Sequence, residues 1–232
     1  MAHDLRTPLN RLRNRLEESA ARLSASGAPK NENMVGEIER AIAETDQLIA
    51  TFNALLLIAE TDAGTTRAAM SALDLGAVAA DVIELYEPLA EEKKVALSLL
   101  PDAGAVIEGN RSLIAQALAN LVDNAIKYTP AGGKVRVRIA ITDQGVELSV
   151  ADSGPGIPQA DRPRVVERFV RLEASRSSPG TGLGLSLVAA VAHFHNAELL
   201  LDDNVPTGLS ATLRFPETAI RPLPAPLKNA AE

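Results

Sequence analysis

Asn110-Arg-Ser-Leu-Ile-Ala-Gln-Ala-Leu-Ala-Asn120-Leu-Val-Asp-Asn-Ala-Ile-Lys-Tyr128 carries two stripes on a single helix. At about 100° per residue, Gln116, Asn120, Asn124 and Lys127 lie within about 40° of Asn120. Ile114, Leu118, Leu121, Val122 and Ala125 fall about 100–200° round, on the other side. Asn110 supplies an N-cap, so the spacing predicts a helix from there to about Tyr128. The apolar stripe has to be buried against another layer. The polar stripe has two readings. It is a solvated face, or its carboxamides and ammonium hold a hydrated cation and phosphate oxygens. Magnesium keeps much of its water and takes few protein oxygens, so one Asn carbonyl is a sufficient ligand.

The neighbouring segments supply the covering layer. Val135, Val137, Ile139 and Ile141 alternate with Arg136, Arg138 and Ala140. After the turn Thr142-Asp-Gln-Gly145, Val146, Leu148 and Val150 alternate again, which predicts an antiparallel hairpin with one buried face. Upstream, Asp74 caps a predicted helix running to about Glu92, and Val95–Leu100 and Ala105–Glu108 read as short strands. Downstream come a helix from about Leu183 to His195, with Asn196 where a left-handed cap is needed, and two closing strands. Residues 73–216 are therefore expected to form an α/β sandwich with helices on one face of a mixed sheet. Residues 63–72 read as a linker, and the Pro- and Ala-rich residues 217–232 as a disordered tail.

Two glycine-rich segments border these elements. Asp152-Ser-Gly-Pro-Gly-Ile-Pro158 follows the strand that ends at Val150. A carboxylate there, followed by Gly154 and Gly156, suits a flat ring whose exocyclic amine donates to the acid. The same residues also make an ordinary turn. Gly180-Thr-Gly-Leu-Gly184 precedes a helix, where exposed N–H groups and the positive helix end favour phosphate. The spacing is not that of a Walker loop, because no Lys-Ser/Thr follows.

The first residues, Met1-Ala-His-Asp-Leu-Arg-Thr-Pro-Leu-Asn10, place His3 and Thr7 opposite a seam of Leu5, Leu9, Leu12 and Leu16. Ser24–Asn31 is turn-rich, and Ile38, Ile42, Thr45, Ile49, Phe52, Leu56 and Ala59 then recur in steps of four and three. Residues 1–62 read as a helical hairpin, expected to pair with a second copy as a four-helix bundle. The chain has two Tyr, four Phe and no Trp, so its core must be aliphatic. No cysteine is present, which removes disulfides and thiolate metal sites. A formal charge of −7 offers no footprint for nucleic acid. No apolar run reaches the roughly 20 residues of a membrane span, so this part of the protein is expected in the cytoplasm without membrane contact.

Taken together, the segments resemble the catalytic core of a two-component sensor histidine kinase across residues 1–216. His3-Asp-Leu-Arg-Thr-Pro-Leu9 is similar to the phosphoacceptor motif, and Asn120-Leu-Val-Asp-Asn-Ala-Ile-Lys-Tyr128 to the asparagine box. Asp152–Gly156 and Gly180–Leu185 resemble the two glycine boxes, and Glu167-Arg-Phe-Val-Arg171 the phenylalanine box that opens the ATP lid. The resemblance implies an α+β chain: a dimerising hairpin followed by a GHKL/Bergerat-type α/β sandwich. It implies ATP and Mg²⁺ as ligands, and a homodimer that passes a phosphoryl group to the receiver domain of a response regulator.

By the same resemblance, His3 accepts the γ-phosphoryl group, Asp4 orients or deprotonates its imidazole, and Thr7 positions a water for phosphate removal. Asn124 ligates Mg²⁺, Asn120 and Lys127 meet the phosphates, Tyr128 lies beside the base, and Asp152 reads adenine with Gly154 and Gly156. Arg171 reaches from the lid, and Gly180, Thr181, Gly182, Leu183 and Gly184 form the second glycine box. A neutral imidazole, with an ordinary pKa of about 6.5, is a competent nucleophile.

The chain departs from the pattern at Val166, where the family often has a first Phe, and at Asn196, where Gly is usual after His195. His193 and His195 read as structural. No sensor, membrane helix or signalling coiled coil stands before His3, so the chain reads as a piece of a longer protein, compatible with a parent anchored in the bacterial inner membrane. Two alternatives use the same motifs. One is a hydrolysing ATPase of the same fold, whose general-base Glu would stand at Asn120, a residue that cannot take a proton. The other is a pseudokinase scaffold or phosphatase.

Overall fold

The computed structural model describes residues 70–101, 104–167, 170 and 184–217, with the single positions Ile38, Ala41 and Thr45. Those three are helical, and the Thr45 hydroxyl donates to the Ala41 carbonyl one turn back (2.7 Å). The remainder of the expected hairpin, and residues 218–232 of the expected tail, lie outside the described residues.

In chain order the elements are β1 (Ser71–Asp74), α1 (Leu75–Glu92), β2 (Ala96–Leu100), β3 (Val106–Gly109), α2 (Arg111–Tyr128), β4 (Lys134–Thr142) and β5 (Gly145–Asp152). A 3₁₀ turn at Gln159–Asp161 leads into the single-turn α3 (Arg162–Val165), followed by α4 (Gly184–Phe194), β6 (Glu198–Asp203) and β7 (Leu209–Phe215). Five strands form a mixed sheet in the order β2-β4-β5-β7-β6. The β2–β4 pair is parallel and the others are antiparallel. The hairpin register runs from Val135 opposite Asp152 to Thr142 opposite Gly145, and the alternation read from sequence becomes one buried face up to Ile139; at the end of the strand Ala140 is buried and Ile141, expected on that face, is exposed.

That face carries Val135, Val137, Ile139, Val146, Leu148, Val150, Leu213 and Phe215, all buried. The apolar stripe of α2 (Ile114, Leu118, Leu121, Val122, Ala125) lies in the same core, with Leu75, Val78 and Val82 of α1 and Leu187, Val188 and Val191 of α4. Each fully buried aliphatic side chain of this kind contributes about 1.5–3 kcal/mol. The helices start where their caps predict. The Asp74 carboxylate accepts from Gly76 N (2.8 Å) and Ala77 N (3.3 Å), and Asn110 Oδ1 accepts from Leu113 N (3.1 Å). Asn196 adopts a left-handed φ of 51° after α4.

One element departs from the sequence reading. Ser71 and Ala72 fall in the stretch expected as linker, yet they pair with Gly109 and Glu108 in a separate two-stranded ribbon of β1 and β3. Only Leu73 of β1 is buried, so the strand shows no alternation of its own. Its partner decides it.

His195 ties two helices together. The imidazole is buried, its Nε2 accepts from the Asn110 backbone N–H (3.0 Å), and its Nδ1–H donates to the Val191 carbonyl (2.8 Å). The start of α2 is thereby bonded to the end of α4, which supports the structural reading of this histidine.

Candidate nucleotide-binding site

The polar stripe of α2 is half-buried and faces the start of α4. Asn120 Nδ2 donates to the Gln116 carbonyl (2.9 Å), which uses one of its two N–H donors within the helix. The Asn124 carboxamide makes no hydrogen bond among the described residues. Gly184 stands over both: a Cβ at that position would sit 3.1 Å from Asn120 Oδ1 and 3.3 Å from Asn124 Nδ2. Glycine leaves the two amides clear, and any larger residue would crowd them.

Asp152 closes β5. Its side chain is buried, and Oδ1 accepts from Gly154 N (2.8 Å) and Leu209 N (3.3 Å). Its main-chain oxygen accepts from Asn204 Nδ2 (2.7 Å). Oδ2 has no protein donor among the described residues. Burial pushes this carboxyl above its ordinary pKa, while the two N–H donors favour the anion and pull it back. A Cβ on Gly154 would lie 2.8 Å from the Tyr128 carbonyl and 3.0 Å from Asp152 Oδ1, so the loop can close on the end of α2 only with glycine there. Gly156 follows in a left-handed conformation (φ 73°) against the Gly208 backbone. Arg162 then fastens this segment, donating to the Ile157 and Leu201 carbonyls (3.1 Å each) and pairing with Asp203.

Beside this loop opens a cleft of about 520 Å³, lined by Lys93, Lys127, Tyr128, Thr129, Pro130, Ser153, Gly154, Pro155 and Thr207. Asp152 stands behind Gly154 and outside this lining. The Lys127 ammonium lies 5.3 Å from the centre of the Tyr128 ring, within cation–π range. Thr129 is fully buried, and its Oγ1 is left without a partner at the wall of the cleft. A buried hydroxyl without a hydrogen bond is costly.

The structure therefore brings Asn120, Asn124 and Gly184 into one group, and gathers Lys127, Tyr128 and Gly154 around a cleft with Asp152 behind. His3, Asp4, Thr7, Arg171, Gly180, Thr181, Gly182 and Leu183 lie outside the described residues. Sequence reasoning missed Lys93, Thr129, Ser153 and Thr207. It also missed Asp123, which burial raises above its ordinary pKa while the Lys127 charge acts the other way. Tyr86 of α1 faces that carboxylate, and its phenol is pushed up to about 12 by burial and by the Asp123 charge. The four-residue spacing of Asp123 and Lys127 on one helix was the available signal.

Comparison with known proteins follows the same lines. Residues 109–219 match the family described as histidine kinase-, DNA gyrase B- and HSP90-like ATPases. The solved structure of the mycobacterial sensor histidine kinase MprB aligns with a TM-score of 0.56 at 32% identity, over 66% of this chain and 99% of that one. The chain belongs to the sensor histidine kinases. Among curated members of this family, the histidine-protein kinase/phosphatase MprB of Mycobacterium sp. (strain KMS) is 36% identical over 209 residues. That alignment covers 89% of this chain and 39% of the relative, so the chain spans well under half the length of that histidine kinase. The crystal structure of full-length ShkA in complex with AMPPNP aligns over 95% of this chain and 45% of that one, with a TM-score of 0.71 and 25% identity. Among the described residues, no helix is long and apolar enough to cross a membrane.

Proposed function

We propose that this chain binds Mg-ATP between α2, the Asp152–Gly156 loop and the start of α4, and transfers the γ-phosphoryl group to His3. The observation that carries the reading is the placement of Gly184 against Asn120 and Asn124, on the helix whose C-terminal end lines the cleft in front of Asp152. The donor set fits the ligands. Mg²⁺ would be held by the Asn124 carbonyl, since magnesium keeps much of its water and needs few protein oxygens. Bound Mg²⁺ supplies charge neutralisation at the phosphates.

The chain's own groups do the rest. Asp152 Oδ2 accepts from the adenine amine, Tyr128 lies beside the base, and Asn120 and Lys127 meet the phosphates. Arg171 and the Gly180–Gly184 segment complete the phosphate side. A ring nitrogen of His3 forms its bond to the γ-phosphorus as the bond to the departing ADP oxygen breaks. Asp4 holds the imidazole tautomer and stabilises its developing positive charge. Asn120 cannot take a proton from water, which favours an imidazole acceptor over hydrolysis. The phosphoryl group then passes to an aspartate of a response-regulator receiver domain. Removal of phosphate from that partner, with Thr7 holding the water, is the reverse role, in keeping with the kinase/phosphatase name of MprB. The working form is a homodimer through the hairpin, acting in the cytoplasm.

Labelling with γ-labelled ATP tests the reading. Acid-labile, alkali-stable label on the protein is expected, and it should vanish in His3→Gln. Label that persists in His3→Gln refutes the acceptor, and steady phosphate release without labelled protein establishes the hydrolase instead.

A further inference from the structure

Helix α2 ends short of the donors it needs. In a continuing helix the Ile126 carbonyl would accept from the N–H of residue 130, and the Lys127 carbonyl from that of residue 131. Position 130 is proline and has no N–H to give. Lys93, the residue that caps the C-terminus of α1, reaches across and fills both places: its Nζ donates to the Ile126 carbonyl (2.7 Å) and to the Lys127 carbonyl. Its charge also faces the negative end of the α2 dipole.

The backbone around Lys93 makes the same junction. Gly132 N donates to the Lys94 carbonyl (2.7 Å), and Ala96 N donates to the Gly133 carbonyl (2.9 Å). Four bonds thus stitch the α1–β2 turn to the end of α2 and the loop behind it, and two of the four come from one ammonium. Lys94 takes a left-handed φ of 58°, which turns the chain so that β2 can start parallel to β4. What this junction holds is the wall of the cleft. Lys127, Tyr128, Thr129 and Pro130 line it, and so does Lys93 itself. Burial, and after it the nearby Lys127 charge, lower the Lys93 pKa.

We propose that Lys93 is a positioning residue of the nucleotide site: it caps the last carbonyls of α2, where Thr129 has already turned extended, and holds the last turn, with Lys127 and Tyr128, in the geometry that receives the nucleotide. This rests on the nucleotide reading of the cleft. A merely structural lysine would alter stability and leave the affinity of the folded protein unchanged. A positioning lysine alters affinity, and a conservative donor in its place restores it.

The test uses the full chain with Lys93→Met, Lys93→Gln and Lys93→Arg. Mg-ATP affinity is measured by calorimetry at a temperature where each is folded, with unfolding followed in parallel. Lys93→Met is expected to weaken ATP binding on the order of tenfold, the scale of one charge-assisted hydrogen bond. Lys93→Arg should recover most of it. Lys93→Gln, whose amide can donate to one carbonyl without the charge, should fall between Lys93→Met and the parent. If Lys93→Met fails to fold, Lys93→Gln and Lys93→Arg carry the same comparison. Unchanged affinity in Lys93→Met, or a loss that Lys93→Arg does not repair, overturns the proposal. If the parent chain binds no ATP, the nucleotide reading itself fails. Lost stability in Lys93→Met, recovered in Lys93→Arg, would then show that the cap exists without that role.

Discussion

Replacing His195 by phenylalanine isolates one buried titratable group from the rest of the protein. The imidazole packs edge-on to Phe194 (ring centroids 4.8 Å apart) and near Phe215 (6.1 Å), so a phenyl ring fills the same space with little cavity. Val191 keeps a donor, because the backbone N–H of residue 195 also reaches its carbonyl (3.2 Å). The Asn110 N–H loses its acceptor and is left buried. One such orphan costs about 1–3 kcal/mol. The pH dependence carries the sharper signature. Burial lowers the His195 pKa, partly offset by the bond to Val191, so the unfolded chain takes up the proton first as pH falls. Its contribution is complete above the ordinary value of about 6.5 and is lost as pH falls from there toward the folded value, at no more than about 1.4 kcal/mol per pH unit. Asp152 and Asp123 act with the opposite sign, because their raised folded pKa values let the native state take up protons first. Urea unfolding of parent and His195→Phe, from about pH 7.5 to about pH 5, separates the two. The parent should be more stable by about 1–3 kcal/mol at neutral pH, and the gap should close on acidification. A gap that stays constant across that range refutes the buried neutral imidazole.

Two further outcomes test the site itself. Asp152→Asn places an amide where the adenine amine needs an acceptor, and should weaken ATP and ADP alike by about tenfold to a hundredfold; equal calorimetric affinities for variant and parent remove Asp152 from base recognition. Gly184→Ala brings a Cβ to 3.1 Å from Asn120 Oδ1 and 3.3 Å from Asn124 Nδ2, so Mg-ATP affinity should fall severalfold. Full ATP affinity in this variant would show that the amides are not ligand groups.

Sequence alone served well wherever one element carried its own signal. The α2 helix displays its core stripe, its polar stripe and its Asn110 cap within 19 consecutive positions. The β4–β5 hairpin shows its buried face through alternation and its turn through Gly145. Asp74 and Asn196 mark helix boundaries through local chemistry that needs no distant partner. The failures share a cause. Strand β1 exists because β3 pairs with it, and four residues with a single buried side chain cannot announce that. Lys93 reaches a carbonyl 33 positions away, and the second donor to Asp152 Oδ1 comes from 57 positions away. The unpaired hydroxyl of Thr129 is a property of the packed wall and has no local sequence signature. Glycines were legible as special positions, whereas what each one approaches was not.

The two ends of α2 explain how a site built from loops can hold its geometry. Its start is bonded to His195 beyond α4, and its finish is bonded to Lys93 beyond α1, so both termini are fixed by side chains from other helices. Between them, the apolar stripe is locked in the core against the sheet. The helix is thus a rigid rail, and rigid supports are what precise sites require. The Asp152–Gly156 loop and the start of α4 are registered to that rail through Gly154 and Gly184, each close enough to exclude an ordinary side chain or be crowded by one. Substitutions should therefore divide by position. Those in the buried stripe and at His195 should register in stability, those at the two glycines in nucleotide affinity, and those at Lys93 in both, because that anchor also lines the cleft.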